Sequence, residues 1–202
     1  MIIYLHGFCS APASPKVRAL REHLAARGLA AEFWCEQLPW SPRAALELVN
    51  GKIEEQLARC RLDRHAPAPL LVGSSLGGFY ASCLAERHGV RAVLINPAVI
   101  GRLDLDAWLG THHNLYTGER FELERAYIDE LRTFDFPAIT HPERYWLLVE
   151  EGDERLDYRH ALARYAGARQ SVEAGGNHSF SKWQDYLDGI TDFAGLGART
   201  SA

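Results

Sequence analysis

The chain has 202 residues, of which 47% are hydrophobic and 24% charged, as expected for one ordinary folded domain. Its formal net charge of -4, without a run of lysine and arginine, disfavours nucleic acid and anionic membranes as partners. No apolar stretch approaches the roughly 20 residues of a membrane span, and no signal peptide is evident. Four scattered cysteines form no C-x-x-C pair, so we expect reduced thiols in a cytoplasmic protein.

Short apolar runs alternate with segments of helical periodicity along most of the chain. The runs predict strands at Ile2–Leu5, 31–35, 70–72, 92–95, 145–149 and 169–173. Helices are predicted after Ser14-Pro15 and Ser41-Pro42, over 76–87, near 158–166, and in a last helix with Phe180, Trp183, Leu187 and Ile190 on one face. This alternation predicts an α/β fold with a doubly wound, mostly parallel sheet of about six strands.

The segment 97–144 breaks this rhythm. It shows no clear strand and one helix, whose face carries Leu123, Tyr127, Leu131 and Phe134. We therefore expect a lid-like insertion within a single domain spanning 1–194, followed by a flexible tail at 195–202. Aromatic residues of the insertion, such as Trp108 and Tyr116, either line an acyl pocket or only pack the lid onto the sheet.

The sequence Gly73-Ser74-Ser75-Leu76-Gly77 follows an apolar strand and precedes an amphipathic helix. A G-x-S-x-G motif in this context is typical of a nucleophile elbow, where glycines on both sides permit a sharp strand-to-helix turn. The positive end of the following helix would favour a developing oxyanion. We therefore predict that Ser75 is a nucleophile, whereas a turn without chemistry is the alternative.

A serine hydroxyl needs a base, and in folds with this elbow the acid and then the histidine follow the serine along the chain. His178 lies in a glycine-rich loop after the strand near 169–173, and Asp153 comes just after the strand at 145–149. We predict His178 as the base and Asp153 as the acid that orients it. Asp157 is the main rival of Asp153, although it is also a candidate cap for the helix near Tyr158.

The oxyanion hole of such enzymes combines the N–H after the nucleophile with an N–H from a loop after an early strand. These criteria select Leu76 and, in the loop after Ile2–Leu5, Phe8. His6 is expected to have a structural role, and Cys9 lacks an evident base. The adjacent pair His112-His113 and the separate His141 do not match the spacing of a known zinc motif, so we expect no metal site.

Several blocks together resemble the YqiA-like esterases of bacteria, which are small α/β-hydrolases. They are Ile2 to Phe8 with Ser14-Pro15-Lys16, Gly73 to Ala81, Asn96 to Val99, Gly152-Asp153-Glu154 with Leu156-Asp157-Tyr158, and Gly175 to Phe180. The resemblance runs nearly end to end and implies esterase activity with a triad of Ser75, Asp153 and His178. It also implies an acidic residue before the histidine, where this chain has Asn177.

The sequence therefore predicts a serine hydrolase that cleaves small-molecule carboxylic esters or acyl-CoA thioesters through an acyl-enzyme. No metal or organic cofactor is implied. The alternatives are a non-catalytic hydrolase-fold binding module and, more remotely, metal-dependent hydrolysis through the insertion histidines. The physiological substrate and the oligomeric state do not follow from the sequence.

Overall fold

The computed structural model describes residues 1–63 and 66–197. Its strands are β1 (Ile2–Leu5), β2 (Phe33–Trp34), β3 (Leu70–Ser74), β4 (Arg91–Ile95), β5 (Gly110–His113), β6 (Arg120–Leu123), β7 (Tyr145–Glu150) and β8 (Arg169–Glu173). Its α-helices are α1 (Pro15–Ala26), α2 (Pro42–Leu62), α3 (Leu76–His88), α4 (Arg125–Phe134), α5 (Tyr158–Arg164) and α6 (Leu187–Phe193). Short 3₁₀ turns lie between several of them.

Six strands form a sheet in the order β2-β1-β3-β4-β7-β8, and each neighbouring pair is parallel. The predicted doubly wound sheet of about six strands is therefore confirmed. Apolar residues occupy successive positions of the inner strands, because both faces of a parallel sheet are covered by helices. In β1, for example, Ile3 and Leu5 join one core cluster, whereas Ile2 and Tyr4 join the other.

The helices divide between these two faces. Buried residues of α2, α3, α4 and α5 pack with the first cluster, and buried residues of α1 and α6 pack with the second. Both helices predicted from a serine-proline pair start at that proline, whose missing N–H would be unpaired there in any case. Helix α3 ends at His88 and is capped by Gly89, which takes the left-handed conformation with φ of 67°.

The order of the strands fixes where a site can form. From β1 the chain passes outward to β2 and then returns to β3 on the other side of β1. The loops that leave β1 and β3 therefore diverge, and such a reversal leaves a crevice at the carboxyl ends of the strands. The loop 6–9 and Ser75 follow β1 and β3 at this crevice.

The segment 97–144 differs from the prediction, since it contains an antiparallel hairpin of β5 and β6. Leu123 belongs to β6, and α4 begins only at Arg125. Each strand has four residues, and β6 places only Phe121 and Leu123 in the core, so the period-two pattern is too short to recognise. The hairpin is one correction to the sequence prediction.

Two other elements are shorter than predicted. β2 has two residues, because a 3₁₀ turn occupies Ala30–Glu32. The last helix, α6, starts at Leu187 after a 3₁₀ turn at Trp183–Tyr186, so Phe180 lies outside it. Phe180 is still buried, at a positive φ of 58°. In the sequence, this buried loop residue has the spacing expected of the first apolar residue on the face of the helix.

Of the segment expected to be a flexible tail, residues 195–197 are described and 198–202 lie outside the described residues. The Leu196 N–H donates to the carbonyl of Thr191 at 3.0 Å, and its side chain packs against the core. Within 1–63 and 66–197, no helix is both long and apolar enough to cross a membrane.

Candidate active site

Ser75 occupies a strained turn between β3 and α3. Its φ of 56° and ψ of -122° lie outside the usual regions for a residue with a side chain, which costs about 1–3 kcal/mol. Hydrogen bonds fix this conformation: the Ser75 N–H donates to the carbonyl of Ile95 at 3.0 Å, and its carbonyl accepts from Ala98 at 3.0 Å. A side chain at position 77 would overlap the Leu5 backbone, so glycine is required there.

The structure brings Ser75, His178 and Asp153 together in one chain of hydrogen bonds. His178 Nε2 lies 3.1 Å from Ser75 Oγ, and His178 Nδ1 lies 2.9 Å from Asp153 Oδ2. An ionised carboxylate only accepts hydrogen bonds, so Nδ1 carries the proton and Nε2 of the neutral ring accepts from the serine hydroxyl. The Asp153 side chain is 2% exposed and the His178 side chain 16% exposed, so water has little access to this pair.

Asp157, the rival acid, acts as the N-cap of α5. Its carboxylate accepts from the Arg159 N–H at 2.9 Å and caps α5, as the alternative interpretation expected. These contacts lower the Asp157 pKa, and the backbone hydrogen bond from Arg159 is the main cause. Asp153 is instead fixed by the N–H groups of Arg155 and Leu156, which donate to Oδ1 at 2.9 Å and 3.0 Å.

A buried carboxylate that the sequence did not single out supports the loop of His178. Glu150 ends β7 and is fully buried. Its Oε2 accepts from the Asn177 N–H at 2.6 Å, and its Oε1 accepts from Ser181 Oγ at 2.7 Å and from the Lys182 N–H at 3.1 Å. Burial alone would raise the Glu150 pKa, but these hydrogen bonds outweigh it and hold the pKa below its ordinary value.

Asn96 joins this network from the end of β4. Its amide donates to the carbonyls of Asn177 and His178 at 3.1 Å and 3.2 Å, and its oxygen accepts from the Glu150 N–H at 3.0 Å. The signals in the sequence were an acid that ends the apolar run of β7 and an asparagine that directly follows β4, before Pro97. Asn177 itself is exposed, and its side chain accepts from the Ser179 N–H at 2.8 Å.

The loop after β1 faces Ser75 from the other side. In the described parts of the chain, neither the Phe8 N–H nor the Leu76 N–H has an acceptor, so both predicted oxyanion donors are free. His6 supports this loop: its Nε2 accepts from the Leu38 N–H at 3.0 Å, so Nδ1 carries the proton and donates to the Gly7 carbonyl at 3.0 Å. Burial lowers the His6 pKa, which favours this neutral form.

Ser75 opens into a cleft of about 840 Å³. Part of the lining is aromatic: Phe8 lies 5.3 Å from Trp108 and 4.9 Å from His112 between ring centroids, and Tyr116 also lines the cleft. The insertion therefore does contribute to the cleft. Cys9 also lines it, and burial raises the pKa of its thiol, so the thiolate is disfavoured.

The insertion histidines are not arranged as a metal site. His112 Nε2 lies 2.6 Å from the Trp108 carbonyl, His113 is exposed at the next position of β5, and His141 pairs with Glu143 at 3.1 Å. Over residues 1–63 and 66–197, no three histidine, cysteine, aspartate or glutamate side chains cluster as metal ligands would. All four cysteines are free thiols.

Residues 1–195 match the uncharacterised protein family UPF0227. The chain belongs to this family, which corresponds to the YqiA-like resemblance in the sequence. Solved structures show the α/β-hydrolase fold predicted for it. A monoacylglycerol lipase from Paleococcus ferrophilus is 17% identical, with a TM-score of 0.63 over 97% of this chain and 94% of that one. The esterase domain of a Rhodothermus marinus protein is 19% identical, with a TM-score of 0.56 over 96% and 85%.

Proposed function

We propose that this protein is a serine hydrolase that cleaves carboxylic esters or acyl thioesters through an acyl-enzyme. The observation that carries the proposal is the continuous hydrogen-bonded chain from Asp153 through His178 to Ser75, with the serine held in a strained turn. In unrelated hydrolases this constellation is recognised by its geometry and roles rather than by sequence position. The lipase and the esterase domain of the same fold are consistent with it.

Each residue has a definite role in the proposed reaction. Ser75 Oγ attacks the carbonyl carbon of the ester while His178 Nε2 takes its proton, and Asp153 stabilises the imidazolium that forms. The free N–H groups of Phe8 and Leu76 stabilise the oxyanion. His178 then protonates the departing alcohol or thiol, and a water molecule activated by the same histidine releases the acid.

Labelling with a fluorophosphonate tests the nucleophile. The reagent should modify folded protein once, and mass spectrometry of the peptides should place the adduct on Ser75. The Ser75→Ala variant should take up no label and lose at least about 10⁴-fold in kcat, because a triad without its nucleophile retains only the contribution of binding and the oxyanion hole. Label on another residue, or full activity in Ser75→Ala, would contradict the proposal.

Steady-state assays of the same protein distinguish esters from thioesters as substrates. We expect turnover in a panel of p-nitrophenyl esters and acyl thioesters of matched chain length, with one class giving the higher kcat/KM. If folded protein with an unmodified Ser75 hydrolyses none of these substrates, the result would instead favour a binding module that has the hydrolase fold but no catalytic activity.

A further inference from the structure

Part of the lining of the cleft is polar. It includes Ser14, Pro15 and Lys16 at the start of α1, and Glu154, Arg155 and Ser179 near His178. Arg155 lies 3.7 Å from Glu154, so Lys16 is the cation of this group whose contacts indicate what the cleft binds.

The start of α1 has polar groups that the protein itself does not use. A serine at the N-cap normally accepts a hydrogen bond from the second or third N–H of its helix, but Ser14 makes no such bond. Ser14 is only 9% exposed, and its hydroxyl has no partner among residues 1–63 and 66–197. The N–H groups of Lys16 and Val17 also lack acceptors in the described chain. These donors add to the positive end of a twelve-residue helix, an arrangement that binds anions.

Lys16 brings a full positive charge to the same place. With the part of the chain that the structure describes, its ammonium makes one hydrogen bond, to the Ser179 carbonyl at 2.9 Å, which leaves two of its three donors available. Within the described residues, no carboxylate lies within 4.0 Å of Nζ. Burial lowers the Lys16 pKa to about 8. A largely buried ammonium without a counterion is costly unless something else supplies the negative charge.

The acidic groups around Lys16 are already engaged. Asp153 accepts from His178 and from two backbone N–H groups, and Glu150 accepts from three donors of the loop 177–182. Glu154, which also lines the cleft, accepts from the His178 N–H at 2.9 Å and lies 3.7 Å from Arg155. These contacts fix the acids in place and leave the ammonium facing the cleft.

We propose that the N-terminal end of α1, with Ser14 and Lys16, binds a carboxylate or phosphate group carried by the substrate. This inference rests on the proposed function, because it places the anion in the same cleft as Ser75. The substrate is then an ester or thioester with an apolar part against the aromatic lining and an anionic group against α1. Lys16 Nζ contacts Ser179, the residue next to His178, so the anion lies close to the reacting carbonyl.

Matched pairs of substrates test this subsite. One set compares 4-acetoxybenzoate and 4-acetoxyphenyl phosphate with neutral methyl 4-acetoxybenzoate, and the other compares p-nitrophenyl hemiglutarate with p-nitrophenyl valerate. The protein should favour at least one anionic member, and Lys16→Met should lower the ratio of anionic to neutral kcat/KM about tenfold, the usual effect of one hydrogen bond to a charged group. The first set also shows whether the subsite prefers a carboxylate or a phosphate.

Three further variants complete the design. Ser14→Ala should lower the same ratio about threefold, the effect of a weaker neutral hydrogen bond. Lys16→Arg should retain most of the preference, because it keeps the charge. Arg18→Met is the matched control: it removes a charge from α1 at an exposed position, where Arg18 lies 3.9 Å from Glu22, and should leave the ratio unchanged.

Binding measured without turnover tests the anion subsite independently of the proposed hydrolase activity. Calorimetry on Ser75→Ala should show tighter binding of the anionic member of a pair, and Lys16→Met in that background should remove the difference. An unchanged ratio in Lys16→Met across every pair, together with equal binding of both members by Ser75→Ala, would overturn the subsite. Ester hydrolysis by Ser75 would still stand in that case. Conversely, selective binding without turnover would support the subsite while contradicting the hydrolase.

Discussion

Replacing Glu150 by glutamine tests whether this buried carboxylate positions His178. Glutamine has nearly the same shape but only one acceptor oxygen, whereas the two oxygens of Glu150 serve donors on both sides. If the amide nitrogen replaces Oε2, it faces the Asn177 N–H; if it replaces Oε1, it faces the Lys182 N–H. Either orientation leaves one backbone N–H opposite another donor.

The expected loss of stability follows from this one unpaired backbone N–H. An unpaired buried donor costs about 1–3 kcal/mol, and the remaining hydrogen bonds lose the benefit of the charge. We therefore expect Glu150→Gln to lower the free energy of unfolding by about 2 kcal/mol, or the Tm by about 4–8 °C for a chain of this size. Movement of the loop also displaces His178 from Ser75, so kcat should fall about 10- to 100-fold with little change in KM.

Denaturant unfolding and steady-state kinetics with a p-nitrophenyl ester measure both effects. Glu151→Gln is the matched control: Glu151 is the next residue, is exposed and, among the described residues, its carboxylate accepts only from the Tyr158 hydroxyl, at 3.1 Å. Its loss should therefore change stability by less than about 0.5 kcal/mol. Because the Glu150 pKa is depressed in the folded state, its contribution is present above the unfolded pKa of about 4.3 and is lost as the pH falls through the folded value. The two proteins should therefore converge in stability in acid. Stability and kcat equal to those of the original protein at neutral pH would refute the reasoning.

Three other substitutions or conditions give direct tests. Asp153→Asn should lower kcat about 10⁴-fold because an amide does not hold the required tautomer, whereas Asp157→Asn should stay within about twofold in steady-state assays. Tyr4→Phe should raise the Tm by about 2–4 °C, because the Tyr4 hydroxyl is buried without a partner in the described chain; a lower Tm by calorimetry would show that it is paired. The preference for an anionic over a neutral ester should fall between about pH 7 and about pH 9, because the pKa of Lys16 is about 8; a constant ratio would argue against a role for its charge.

The parts of the fold that could be predicted are those determined locally. The strand before Ser75 is apolar at its first three positions, the elbow has glycine where the chain must turn, and most residues of α3 are small or apolar and buried. His178 could be placed after β8 for the same reason, since the glycine pair and the end of the strand lie together in the sequence. The sheet followed from the alternation of such units.

What could not be predicted depends on contacts between distant segments. Asp153 and Asp157 both follow β7 within seven residues, and only the turn of that loop decides which one meets His178. The β5–β6 hairpin is stabilised by its apolar side chains packing near Phe8 and Trp40, which no local pattern shows. The burial of Glu150 likewise depends on a loop that comes about 27 residues later.

Two carboxylates near the end of β7 stabilise different parts of the loop that carries His178. Asp153 contacts the imidazole of His178, whereas Glu150 binds the backbone on both sides of it. Since Glu150 has no cation within salt-bridge distance among the described residues, the N–H groups of Asn177 and Lys182 and the Ser181 hydroxyl stabilise its charge, and its position depends on the path of the loop. Gly176 allows that path, because a side chain there would overlap the Glu150 carboxylate and its φ of 75° disfavours any other residue. The loop, the buried acid and the glycine therefore support one another, and together they hold the ring nitrogen at hydrogen-bonding distance from Ser75.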